Sequence, residues 1–303
     1  MQIRMKKLQS ELLLLLTSAI WGFAFVAQRE GNAHLDPLLF NGIRFGLGAL
    51  VLAGLAPGQW KHRQERVFPW LPGLVLFVAA SLQQIGLVWT TAGNAGFITG
   101  LYLIFVPILG LFRKQALQRW HGLALIISLT GLYLISATAG FKVNPGDLIV
   151  LAGAVFWAWH VQLIDIYTRR MDTLRLACGQ AMVCAFLSLL AGTFRLLLVN
   201  PSYVSPSILF PHISMTLIPI LYSGLLSVGV AYTLQVHAQK KAPPLPAALI
   251  MCLESVFALL GGWWLLKEVI SLRMLIGVGL LLGAMLLVIT TGRGKSGSLN
   301  PSS

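Results

Sequence analysis

No charged residue stands between Arg66 and Arg113. A hydrocarbon core about 30 Å thick is crossed by about 20 apolar residues in a helix. The uncharged stretch is too long for one crossing, and Thr90–Asn94 (TTAGN) is its natural turn, so it reads as two helices, Phe68–Trp89 and Ala95–Phe112. The same reading applies to the whole chain. Of its 303 residues, 57% are hydrophobic and 10% charged, against about 25% charged in a soluble domain. That composition places most of the chain in a bilayer.

Charges and turn residues bound eight further apolar runs. In order they are Leu12–Gln28, Pro37–Ala56, Trp120–Ala137, Leu148–Tyr167, Leu176–Val199, Met215–His237, Leu245–Leu266 and Leu272–Thr290. The expected fold is an all-α integral membrane protein of ten spans. The basic leader Met1–Ser10 followed by an apolar run has the layout of a secretory signal. It lacks a small-x-small cleavage site, and the run is read as the first span. Asn200–Ser214 (NPSYVSPSILFPHIS) reads as a polar loop, and residues 293–303 as a disordered tail.

Loop charge sets orientation. With the amino terminus inside, the inside segments carry sixteen Lys and Arg. The outside segments carry Arg29, Lys142, Arg195, Lys267 and Arg273. The bias alternates loop by loop, which predicts ten spans with both termini cytoplasmic. A net charge of +13 is then explained by basic loops at an anionic leaflet, not by nucleic acid. Cys178, Cys184 and Cys252 lie in apolar runs and read as packing residues, with no disulfide framework and no metal motif.

The halves repeat weakly in one order. AIWGFAF resembles VFWAWHV, pairing Trp21 with Trp157. FNGIRFGLGALVLAG resembles CGQAMVCAFLSLLAG, and VPILG resembles ESVFA. Five spans per half is an odd number, so the second repeat is inverted, an architecture that places a solute site near the midplane. The halves are residues 8–139 and 146–292, with FKVNPGD between them.

Charges within spans are costly and mark function or pairing. Glu254 interrupts Leu245–Leu266, and an acid at that depth costs roughly 2.5–3.5 kcal/mol. It is about 14 Å from the inner boundary at 1.5 Å per residue. It reads as a proton carrier, as a ligand for a solute ammonium, or as a neutral acid tying helices together. Arg44 is about 12 Å from the outer boundary by the same rise. It either binds an anionic group or snorkels outward. Across a 30 Å core the two heights nearly coincide, so they are expected to meet directly or through a solute. His160 titrates near neutral pH or packs as a hydrogen-bonded imidazole. Gln83, Gln84 and Gln235 supply hydrogen bonds to a solute or between helices. Trp21, Trp89, Tyr102, Trp157 and Tyr232 either line a cavity for apolar or aromatic solutes or serve structure alone, Trp89 as an interfacial anchor.

Three Gly-x-x-x-Gly pairs, at 42/46, 96/100 and 279/283, allow close helix approach. Gly294-Lys295-Ser296 is no phosphate loop, since Ile289 stands where Walker A needs glycine. No nucleotide, cofactor or metal is expected. An intramembrane enzyme needs paired catalytic groups at depth, and Glu254 is the one helix-centre acid.

The strings WGFAFVAQ, FNGIRF, FITGLYLIFVP and AYTLQVHAQKKAPPLPAALIMCLESVFALLGGWWLLKE resemble the drug/metabolite transporter superfamily, specifically its EamA-type permeases. The resemblance covers nearly the whole chain. It implies two five-helix repeats, a central cavity, and proton- or gradient-linked movement of small metabolites such as amino acids, often outward. It implies a multi-pass protein of a bacterial cytoplasmic membrane. A lipid or lipid-carrier flippase on the same fold is the alternative. Ser255 stands where the family often has proline, which removes the usual reason for a kink in the ninth span. No acid in the first half matches Glu268, so the halves are not expected to move symmetrically.

Overall fold

The computed structural model describes residues 2–55, 68–115, 119–136, 144–267 and 269–294. All regular structure among them is helical. The elements are α1 (Gln2–Asn32), α2 (Pro37–Leu55), α3 (Trp70–Gly86), α4 (Ala92–Gly100), α5 (Tyr102–Phe112), α6 (Arg119–Ser136) and α7 (Pro145–Tyr167). Then follow α8 (Thr173–Val199), α9 (Pro206–Met215), α10 (Leu217–Leu221), α11 (Tyr232–Gln239), α12 (Pro244–Met251), α13 (Glu254–Leu266) and α14 (Leu272–Gly294). Eight helical stretches are long and apolar enough to cross a bilayer. Two further apolar helices, Trp70–Gly86 and Arg119–Ile135, are shorter. Glu268, residues 141–143 of the FKVNPGD segment and the tail beyond Gly294 lie outside the described residues.

Several boundaries move for local reasons. Helix α1 begins at Gln2 and takes in the basic leader. Thr91 starts α4 three residues before the expected Ala95, its hydroxyl accepting the Asn94 amide at 3.1 Å. Asn144 and Asp147 form a reciprocal capping box with Pro145 at the first position, which starts α7 ahead of Leu148. Asp172 caps α8 through the amides of Leu174 and Arg175. The expected loop at Asn200–Ser214 is instead a 3-10 turn (Pro201–Val204) and the helix α9, which has no buried residue. Pro201 and Pro206 sit at first-turn positions, where a missing amide costs nothing.

Three spans are irregular. Ala92–Phe112, the expected fourth span, breaks at Leu101 between α4 and α5, and Pro244–Leu265, the expected ninth, at Cys252–Leu253 between α12 and α13. At each break the amide bonds reach back three residues instead of four, as in Leu101 to Ile98 and Leu253 to Ile250. Ser255, two residues beyond the second break, donates its hydroxyl to the Gly96 carbonyl of α4 at 2.8 Å. The ninth span is thus interrupted without the proline. In the eighth span Tyr222–Ala231 is a π-helix between α10 and α11. Two of its carbonyls are engaged by α1: Trp21 Nε1 donates to Ser227 and Thr17 Oγ1 to Ala231.

Helix α2 packs along α8, α6 along α14, α3 along α7, and α1 along α13 and the eighth span. This pattern maps onto itself when α1–α6 are exchanged with α7–α14. Helices α12 and α13 form the centre: 83% of their apolar window is buried, against 22% for α14. Without a hydrophobic drive between helices in lipid, close approach rests on small residues. Gly22 lies against Phe257 and the Glu254 carbonyl; a Cβ there would stand 2.3 Å and 2.6 Å from them. Helix α6 meets α14 at Gly131 and Gly277, each within 2.7 Å of the other's carbonyl by the same measure. Among the described residues, a Cβ on Gly279 or Gly283 of the expected pair would have nothing within 4 Å, so neither makes a close helix approach there.

Candidate functional site

The two broken spans point their interruptions at one cavity. Thr99 and Tyr102 flank the break between α4 and α5, and Met251 and Glu254 flank the break between α12 and α13. Helices α1, α2, α3, α7 and the eighth span complete the wall. The empty space is about 480 Å³.

Eight of the eleven candidate residues line the cavity: Trp21, Arg44, Gln83, Tyr102, Trp157, Tyr232, Gln235 and Glu254. Arg44 does not snorkel. It is 2% exposed, its Nε donates to Asn41 Oδ1 at 2.8 Å, and its guanidinium lies 4.7 Å from the centre of the Phe45 ring. Among the described residues no carboxylate lies within 4.0 Å of it, so no direct ion pair with Glu254 forms. Glu254 is 3% exposed, and its Oε1 has no hydrogen-bond partner. It is the first residue of α13, where the helix dipole favours an anion. Gln235 Oε1 is likewise buried and unpartnered.

Aromatic rings form the rest of the wall. Tyr232 is central, with ring centroids 4.9 Å from Trp21, 5.7 Å from Phe45 and 6.4 Å from Trp157. Trp21 and Trp157, paired by the repeat, enter from α1 and α7. Trp157 Nε1 donates to Gln83 Oε1 at 2.9 Å, and Gln83 Nε2 donates to Gln28 Oε1 at 3.0 Å. The Tyr102 hydroxyl donates to the Ala248 carbonyl at 3.4 Å.

Three candidates lie outside the lining. Trp89 is exposed and lines a separate pocket with Asn32, Asp36 and Arg195. His160 is fully buried and its Nε2 is 2.9 Å from Gln180 Oε1. Gln84 is fully buried and bonds to α1 through Gln28 and Asn32. The sequence reading missed Phe25, Gln28, Thr99 and Ser227, which also line the cavity. Gln28 and Thr99 are polar residues within or at the end of apolar runs, the one signal that marks them. Among the described residues no group of three or more His, Cys, Asp or Glu side chains is placed to hold a metal. The three cysteines are buried free thiols.

A multi-pass helical bundle with broken spans around a polar, aromatic-walled cavity has the architecture of a membrane transporter. The sequence profile of the EamA-like transporter family matches residues 8–137 and again 144–290, and the chain belongs to that family. A protein of Archaeoglobus fulgidus named an uncharacterized transporter is 28% identical over 93% of this chain and 86% of its own length. The uncharacterized transporter YoaV of Bacillus subtilis is 22% identical over 85% of this chain and 89% of its own. A solved crystal structure shares the fold with a TM-score of 0.75 and 20% identity, covering 94% of this chain and 98% of that one.

Proposed function

We propose that this membrane transporter is secondary-active. It moves small zwitterionic metabolites such as amino acids, outward, across a bacterial cytoplasmic membrane by alternating access. The observation that carries the reading is the placement of Arg44 and Glu254. Both are almost fully buried, both face one cavity, and neither neutralises the other directly. Each charge costs roughly 2.5–3.5 kcal/mol at that depth. A solute bearing a carboxylate and an ammonium offsets both costs at once. The aromatic wall suits an apolar side chain on such a solute. Glu254 is also the group placed to exchange a proton with the solute, which makes the proton gradient the proposed energy source.

Ten spans in two inverted halves, with both termini cytoplasmic, is the topology that accompanies this reading. Its supports are the alternating loop charge and the exchange symmetry of the helix contacts.

A flippase is the second reading. An apolar groove between α1, α10 and α13, with Phe23, Ile218 and Trp264 on its walls, favours it. That groove uses the face of α1 opposite to Trp21 and Phe25, and none of its lining residues reaches the cavity. Purified protein in proteoliposomes, given radiolabelled amino acids and a proton gradient but no nucleotide, separates the readings. Gradient-driven uptake of at least one amino acid is expected. An absolute requirement for ATP, or movement of a fluorescent phospholipid without any amino-acid uptake, overturns the proposal.

A further inference from the structure

The same kind of bond recurs at two places beside the cavity. At one, Gln84, near the end of α3, donates Nε2 to the Gln28 carbonyl (3.0 Å) and to Asn32 Oδ1 (2.7 Å) on α1. At the other, Gln239, the last residue of α11, donates Nε2 to the Val161 carbonyl (3.2 Å) on α7. Gln28 and Val161 both line the cavity. The correspondence is one of position: in each half, a glutamine near the end of the third span holds a carbonyl on the first span. Each glutamine is at most 2% exposed, and each leaves its Oε1 buried without a partner.

The two places also meet different spaces. Asn32, on the Gln84 side, lines a vestibule with Asp36, Trp89, Arg195 and His212. On the Gln239 side a recess lies beside Asp165 and Pro244. There Arg113 donates to Gln162 and Asp165, and Arg169 also pairs with Asp165.

We propose that Gln84 and Gln239 are the two gate latches of the transporter, one for each face of the membrane. The inference rests on the alternating-access reading above. A latch has to hold and yield. A neutral amide on a carbonyl adds only a modest net stabilisation. The buried unpartnered Oε1 already destabilises the closed state, and water entering on opening satisfies it. Breaking the Gln84 bond lets α3 part from α1 and joins the cavity to the vestibule. Breaking the Gln239 bond lets α11 part from α7 and joins it to the opposite face.

The test is thiol accessibility in the full-length protein, with Cys178, Cys184 and Cys252 replaced by alanine and Ser227→Cys as reporter on the cavity wall. A small impermeant thiosulfonate is applied to one face of reconstituted vesicles at a time. Slow labelling of residue 227 from both faces is expected in this parent. Labelling of the parent from one face only contradicts alternating access itself. Gln84→Met keeps the bulk and removes the donor. It is expected to raise the labelling rate about five- to tenfold from the face bearing His212, and to lower it from the other. Gln239→Met is expected to do the reverse. Unchanged rates, or a rise from the wrong face, overturn the latch assignment while leaving alternating access standing. Gln84→Asn and Gln239→Asn, one methylene shorter, give the same expectation if a methionine variant fails to purify as a single species.

Discussion

Arg44 and Glu254 face one cavity from α2 and α13, yet no ion pair joins them. Phe45 stands against the Arg44 guanidinium and packs beside Tyr232, and Tyr102 and Met251 line the cavity with Glu254. The cavity thus presents a cation and an acid that do not touch, which is the arrangement the proposed zwitterion fits.

The contact of α1 with the ninth span depends on a missing side chain. A Cβ on Gly22 would overlap the Phe257 Cβ and the Glu254 carbonyl. Gly22→Val is expected to destabilise the protein by about 1–3 kcal/mol through overpacking. Gly279→Val, with open space around it, is expected to change stability by no more than about 0.5 kcal/mol. Thermal unfolding in detergent checks both. A neutral Gly22→Val contradicts the close packing of α1 on α13.

Asp36 has two roles at the rim. One carboxylate oxygen accepts the Leu38 and Leu39 amides and caps α2; the other pairs with Arg195. Arg195 is half exposed, so the pair itself contributes about 1 kcal/mol or less. Asp36→Asn keeps a good cap and is expected to be nearly neutral, whereas Asp36→Ala is expected to cost about 0.5–2 kcal/mol. Equal melting points for the two variants contradict the cap.

Loop charge predicts sidedness. In a cysteine-free background, His212→Cys on the exposed α9 is expected to react with an impermeant maleimide in intact cells. Lys241→Cys, in the basic turn before α12, is expected to react only after permeabilisation. Reaction of Lys241→Cys in intact cells reverses the orientation.

Residue by residue, legibility followed the kind of signal. Buried charge was readable, because Arg44 and Glu254 have no other reason to stand in apolar runs. So was the Trp21/Trp157 pair, because the repeat aligned them. Gln83 and Gln84 were not separable, since neighbours on a helix point about 100° apart and both are polar: one faces the cavity and the other α1. His160 sits near Trp157 on α7, yet Gln180 of α8 takes its imidazole, a tertiary partner no spacing reveals. The break in the ninth span was unreadable for a similar reason. No proline marks it, and the nearby Ser255 bonds across to Gly96 of α4, a tertiary partner. The π-helix carries no local signature, and α1 side chains hold two of its carbonyls.

The most direct measurement is a double-mutant cycle on Arg44 and Glu254, read as proton-gradient-driven amino-acid uptake into proteoliposomes. Arg44→Gln and Glu254→Gln are each expected to lower uptake at least about tenfold, the scale of one lost charged hydrogen bond. The double variant is expected to be no worse than the poorer single, because a solute held at one end only is already lost. If the two losses simply add in free energy, the residues act independently and the shared-solute account is wrong.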